Sequence, residues 1–237
     1  MPTFAELKKD LRKLADPKRA EILSRFFKTG PGEYGEGDVF LGITVPSTRG
    51  LARKYRHLGL PAAAKLLRSK IHEERLLALL LLVENFQIAS EPERKRIFDF
   101  YLRHTAYINN WDLVDLSADK IVGGYLWRKP RGTKVLAKLA RSCRLWERRI
   151  AILATFQFIK NGKPEETLKI AKILLRDEQD LLHKAVGWML REVGKRDQAL
   201  EASFLKKHYR QMPRTMLRYA IERFPRNERQ KYLRGEI

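Results

Sequence analysis

Helix starts recur along this chain every few turns, and no segment between them alternates apolar and polar residues over a strand's length. Thr3 with Glu6 makes a capping box ahead of FAELKKDLRKLA, and Asp16-Pro17 is an N-cap followed by proline at the first helical position. Comparable starts fall at Pro46-Ser47, Pro61, Ser90 with Pro92, Pro164-Glu165-Glu166 and Pro213. Helix-period apolar patterns fill the intervals: LLALLLLVENF, RIFDFYLRH, KVLAKLARS, RRIAILATFQFI, ETLKIAKILL, LLHKAVGWMLREV and TMLRYAIERF. Joints of a few residues predict that sequential helices pack antiparallel. Roughly a dozen short helices without a long crossover predict an all-α fold, an α-solenoid of degenerate helix pairs. It is expected to be one domain over residues 1–237, with a compact all-α bundle as the alternative. A solenoid curves, and a concave basic face would match the groove and backbone of duplex DNA.

The charge balance gives that face its reason. Forty-nine Lys and Arg stand against 28 Asp and Glu, a formal net charge of +21, and the sequence pI is near 10.2. An excess of this size points to a polyanion, nucleic acid before an anionic membrane surface or an acidic protein partner. Hydrophobic residues at 44% and charged residues at 32% are those of an ordinary globular chain rather than a disordered one. The lone Cys143 excludes an internal disulfide framework and fits a reducing compartment. The longest apolar run, LLALLLLV at 76–83, is far short of the ~20 residues that span a bilayer. MPTFAELKKDLRKLA is amphipathic and lacks a signal-peptide core. The expectation is a cytoplasmic protein, associated with the nucleoid when bound to DNA, with no membrane partner.

One joint is long. KTGPGEYGEGDVF at 28–40 carries four glycines and three acidic residues in an otherwise basic chain, and must be a loop. It is either an ordered functional element or a mobile connection. Several chemistries have no support in the residues. The histidines at 57, 72, 104, 183 and 208 form no pair at metal-ligand spacing, and Cys143 has no neighbouring Cys or His. No glycine-rich phosphate loop follows a strand, and there is no GxSxG nucleophile elbow.

What remains is tryptophans with polar neighbours: Trp111 with Asp115 in NNWDLVDLS, Trp146 in LWERRIAIL and Trp188 in KAVGWMLRE. Trp111 and Asp115 are four residues apart, on one helix face with Ala118 and Val122. A carboxylate beside an indole on a face that should be buried costs free energy unless something pairs with it. The plainer reading makes each tryptophan a core residue, and Asp115 a buried hydrogen-bonding or capping aspartate.

Four segments in series, FLGITVPSTR at 40–49, NNWDLVDLS at 109–117, WERRIAIL at 146–153 and KAVGWMLREVGK at 184–195, together resemble the DNA alkylation repair family. These are HEAT-like-repeat DNA glycosylases that release alkylated purines. The likeness extends over nearly the whole chain, in order and at comparable spacing. It implies that Asp115 is catalytic, that Trp111 and Trp188 are aromatic walls of the site, and that Arg149 holds a phosphate. Where relatives can have a tyrosine on the second helix, SRFF offers Phe26 or Phe27. Further backbone contacts are expected among Arg49, Arg53, Lys54, Arg148, Lys184 and Arg191.

Alkylating a purine at N3 or N7 makes the base cationic and a good leaving group. An ionised Asp115 would stabilise the positive charge that develops on the deoxyribose. The partner implied is duplex DNA carrying alkylated purines, with no cofactor, no metal and no obligatory protein partner, the chain acting as a monomer. The rival readings are a non-catalytic DNA-binding scaffold of the same fold, recognising damaged, bent or branched DNA by shape, and a protein-binding solenoid.

Overall fold

The computed structural model describes residues 2–129 and 132–237. Among these residues the chain is helical throughout, and the only extended pairing is an isolated parallel bridge between Val39 and Ile71. The helix starts read from the sequence hold. Thr3 and Ser90 each head a helix with the reciprocal capping box, and Asp16 accepts from the Arg19 amide ahead of Pro17. The expectation of an all-α, solenoid-like helical fold is met. The chain divides into two compact units, the first ending at Ser117 and the second beginning at Ala118.

The first unit contains α1 (Phe4–Lys13), α2 (Pro17–Phe26), α3 (Val45–Lys54), α4 (Gly59–Leu67), α5 (His72–Ile88), α6 (Glu91–Arg103) and the short α7 (Trp111–Asp115). The apolar run LLALLLLV forms the middle of α5, and every one of its residues is buried. Such a helix has no polar face because α3, α4, α6 and α7 all pack on it. Each enclosed leucine contributes about 1.5–3 kcal/mol of burial. The first turn of α5, His72-Glu73-Glu74-Arg75, is also buried despite its charge.

Glu73 shows how that burial is tolerated. Its carboxylate accepts from the backbone amides of Leu41 (2.9 Å), Gly42 (2.8 Å) and Ile43 (3.2 Å). The FLGI segment is thereby pinned to the start of α5. Gly42 sits at φ +81°, and a Cβ there would lie 2.1 Å from the Asp16 carbonyl oxygen at the head of α2. Gly42→Ala is expected to cost at least ~1–3 kcal/mol from the left-handed backbone alone, with the backbone overlap added to it. Chemical denaturation of the two proteins measures the difference.

The stripe expected to run from Trp111 through Val122 is interrupted. Helix α7 ends at Asp115, and the Ser117 hydroxyl turns back on the Leu113 carbonyl (2.5 Å) while meeting the Tyr101 hydroxyl (2.9 Å). Back-bonding of this kind bends or ends a helix.

The second unit opens with a π-helical turn, Asp119–Gly123, that runs into α8 (Gly124–Leu126). It continues with α9 (Lys134–Ala140), α10 (Leu145–Ala154), α11 (Phe156–Lys160), α12 (Glu165–Leu174), α13 (Asp180–Gly194), α14 (Gln198–His208), α15 (Arg214–Ala220) and α16 (Arg226–Arg234). Helix α13 is its centre, with α10, α12, α14 and α15 packed against it. Glu201 on α14 is 2% exposed, and its Oε1 has no hydrogen-bond partner among the described residues. Burial pushes its carboxyl up to about 8, against the opposing pull of Arg191. An acid whose folded pKa is raised holds its proton in the fold, so stability falls as pH rises between the unfolded value and the folded one. Glu201→Gln removes that cost, and is expected to stabilise the protein by about 3 kcal/mol at neutral pH and hardly at all near pH 4.5. Melting temperatures of both proteins across that range test the sign.

Candidate active site

The first unit encloses a cavity of about 440 Å³ lined mostly by apolar side chains. Four segments build it: the C-terminal end of α2, the FLGITV stretch, the first turn of α5, and α7. Phe26 and Phe27 come from α2, and Phe40 from the FLGI segment. Trp111 and Asp115 come from α7, one helical turn apart, and both are half-buried. The Trp111–Asp115 face opens onto this cavity. Three of the residues assigned to the site, Asp115, Trp111 and Phe26, are thus brought together in one wall.

The aromatic rings form a continuous set. Phe27 stacks on Trp111 with centroids 5.1 Å apart and planes 16° apart, and on Phe40 at 5.0 Å. Phe26 meets Trp111 edge-on at 5.9 Å and is 61% exposed, so it stands at the mouth. Phe40 stacks in turn on the His72 ring at 4.6 Å. Cationic ligands are attracted to such faces by about 0.5–2 kcal/mol per ring, depending on desolvation.

Three carboxylates line the cavity, and their burial separates them. Glu73 and Asp112 are 1% and 7% exposed, while Asp115 is half-buried. Glu73 is committed to the backbone of 41–43. Asp112 receives the Leu113 amide at 2.8 Å and lies 2.8 Å from His72 Nε2. Asp115 is the least buried of the three.

Behind this wall lies a buried charge cluster. His72 Nδ1 is 3.2 Å from Asp38 Oδ2, and Arg75 pairs with Asp38 Oδ1 at 2.7 Å. Burial is the largest influence on His72 and opposes its charged form, yet the hydrogen bonds that its ring donates to Asp112 and Asp38 together raise its pKa above the usual 6.5. Asp38 is likewise opposed first by burial, and is brought below the usual carboxylate range by His72 and Arg75. Asn110, whose side chain caps α7 by accepting from the Trp111 amide (2.8 Å), also reaches Asp38 at 3.5 Å. The acid-rich loop is therefore tied into the foundations of α7. A further link is Tyr34, whose hydroxyl accepts from Trp111 Nε1 at 3.3 Å.

Sequence reasoning passed over Tyr34, Asp38, His72, Glu73 and Asp112. The signal available was HEER heading a wholly apolar helix, since four adjacent polar residues there must find partners when the helix is enclosed.

The remaining assigned residues are divided between the two units. Arg49 is half-buried on α3, and Lys54 pairs with Asp10 at 2.7 Å. In the second unit Trp188 is half-buried on α13, donates to Glu192 Oε1 at 3.1 Å, and lies 6.0 Å from the Phe156 ring. Arg149 on α10 is 5% exposed and donates to the Leu181 carbonyl on α13. Arg148 is bound through two nitrogens to Asp177, at 2.6 and 3.3 Å. Lys184 pairs with Asp180 at 2.7 Å on the surface, and Arg191 with Glu222.

An all-helical chain with a large basic excess carries the charge to meet a polyanion, and its first unit sets a carboxylate among aromatic rings. The family follows from comparison. A family model described as "DNA alkylation repair enzyme" matches residues 7–224, and the chain belongs to that family. A solved structure described as "Predicted DNA alkylation repair enzyme from Enterococcus faecalis" is similar with a TM-score of 0.70 and 18% identity, over 90% of this chain and 97% of that one. At that identity the likeness speaks for the fold. No curated protein matches the chain.

Proposed function

We propose that the protein is a monofunctional DNA glycosylase, which excises cationic N3- and N7-alkylated purines from duplex DNA and so opens base excision repair. The observation that carries this reading is the shared placement of Asp115 and Trp111 in the wall of an aromatic cavity, in a chain of net charge +21. A carboxylate facing phosphate is a liability in a pure DNA binder. It is an asset where positive charge develops on a sugar.

Chemically, the lesion carries its own activation. The C1′–N9 bond breaks, its electron pair leaves with the positively charged base, and the base departs neutral. The deoxyribose becomes oxocarbenium-like, and the Asp115 carboxylate stabilises that charge. Water then adds at C1′ and loses its proton, with Asp115 placed to orient or accept it. The products are a free alkylpurine and an abasic site. Trp111, Phe26 and Phe27 offer faces and edges to the cationic nucleotide. The surface cations bind backbone. Among them, Arg19 at the cavity mouth has a half-exposed side chain beside Asp16. The reading asks for no metal or cofactor, and favours cationic lesions over neutral ones such as uracil.

The test is release of 3-methyladenine and 7-methylguanine from methylated duplex DNA by the purified protein. Free base with an abasic product supports the reading. A folded protein that binds DNA with steep salt dependence and releases nothing would instead be a scaffold.

A further inference from the structure

The acid-rich loop at 28–40 is built into the site rather than strung past it. At its centre, Gly35 lies against the C-terminal backbone of α2, donating to the Lys28 carbonyl at 3.1 Å. A Cβ on Gly35 would stand 2.4 Å from the Phe27 carbonyl oxygen, so only glycine permits this approach. That contact delivers the adjacent Tyr34 to Trp111. At the far end, Asp38 locks the loop to His72, Arg75 and Asn110. Between these two anchors the Tyr34 hydroxyl accepts from the indole N–H at 3.3 Å, and lies 3.5 Å from the Phe26 carbonyl.

We propose that Tyr34 is a positioning residue for Trp111, fixing how the indole is presented to the cavity. An indole on α7 turns about two side-chain torsions. Phe27 stacked on one face supports the ring plane, and the hydroxyl at Nε1 holds the indole against turning about Cβ–Cγ, which would swing its face. Orientation matters because a tryptophan attracts a cation through its face and not through its edge. Accepting from the indole N–H also pushes electron density back into the ring, which strengthens that attraction. The loop thus contributes to the chemistry without touching the reacting atoms. This proposal rests on the glycosylase reading for its kinetic arm only.

Tyr34→Phe keeps the ring and removes the oxygen, and thermal melting of the variant should match wild type. The indole Nε1–H resonance of Trp111 is identified as the one absent from Trp111→Phe. In Tyr34→Phe it should move upfield and exchange faster with solvent. On methylated duplex, kcat should fall about three- to tenfold, the range of one neutral hydrogen bond, with KM and affinity for undamaged duplex unchanged. In a Trp111→Phe background the same substitution should have no further effect. An unmoved resonance overturns the contact. A moved resonance with unchanged kcat, or an equal loss in the Trp111→Phe background, overturns the positioning role. A wild type that releases no base overturns the glycosylase reading alone, and the resonance then decides the Tyr34 contact by itself.

Discussion

Asp115→Asn is expected to slow release of methylated purines by about 10²–10³, corresponding to ~2.7–4 kcal/mol of transition-state stabilisation. The substitution is chosen for what it keeps. Asparagine has the same shape, so the cavity wall and the packing of α7 persist. What disappears is the negative charge that meets the developing cation. The loss should appear in kcat, because the charge is needed when the glycosidic bond is breaking and not when DNA first docks. Affinity for undamaged duplex should hold or rise slightly, since one carboxylate no longer faces the phosphates. Single-turnover release and a binding titration, at one stated salt concentration, separate these quantities. A rate within a few-fold of wild type would move the catalytic role off Asp115, and Asp112 and Glu73 are poor successors because both are buried and engaged.

His72→Ala is expected to have the largest effect on stability. It leaves Asp38 and Asp112, at 3.2 and 2.8 Å from the missing ring, without the group that joins them. Removing one partner from a buried charged cluster costs about 3–5 kcal/mol, a fall of about 6–20 °C in melting temperature for a chain of this size. The pH dependence has a definite sign. The folded pKa of His72 is raised above its usual 6.5. Its contribution is therefore complete below that value, and is lost as pH rises through the folded one. Asp38 is lowered from its usual 3.8, so its share is present above that value and is lost as pH falls through the folded one. The melting gap between wild type and His72→Ala should accordingly be wide in mildly acidic solution and narrow on the alkaline side. A gap that widens with pH would mean that the imidazole is held neutral. Because the same cluster carries Asn110 and the start of α7, the variant should also lose activity even where it remains folded.

The helices were legible because their signals are local. Thr3 with Glu6 and Ser90 with Glu93 close their own capping boxes, and Asp16 caps α2 whatever the rest of the chain does. The pairing of Trp111 with Asp115 was also legible, since four residues are one helical turn. The continuation of that stripe into Val122 was not. Its interruption depends on Ser117 meeting Tyr101, a residue distant in sequence whose approach no local pattern announces.

The loop divides the two kinds of information most clearly. Its glycines and acids marked a loop at 28–40 without saying whether it was ordered. Order comes from contacts across the sequence, Asp38 with His72 and Tyr34 with Trp111. The sequence by itself determined an all-helical chain, many of its helix starts, a strong positive charge and a carboxylate one turn from an indole. These follow from backbone capping, periodicity and composition, which act over a few residues or over the whole chain at once. Only the tertiary structure decided how far each of the three acids lining the cavity is shielded from solvent, why HEER can be buried, and that Trp111 meets Tyr34. Those outcomes turn on desolvation and on hydrogen bonds between side chains tens of residues apart, and such terms take their value only when the folded chain brings the partners within reach.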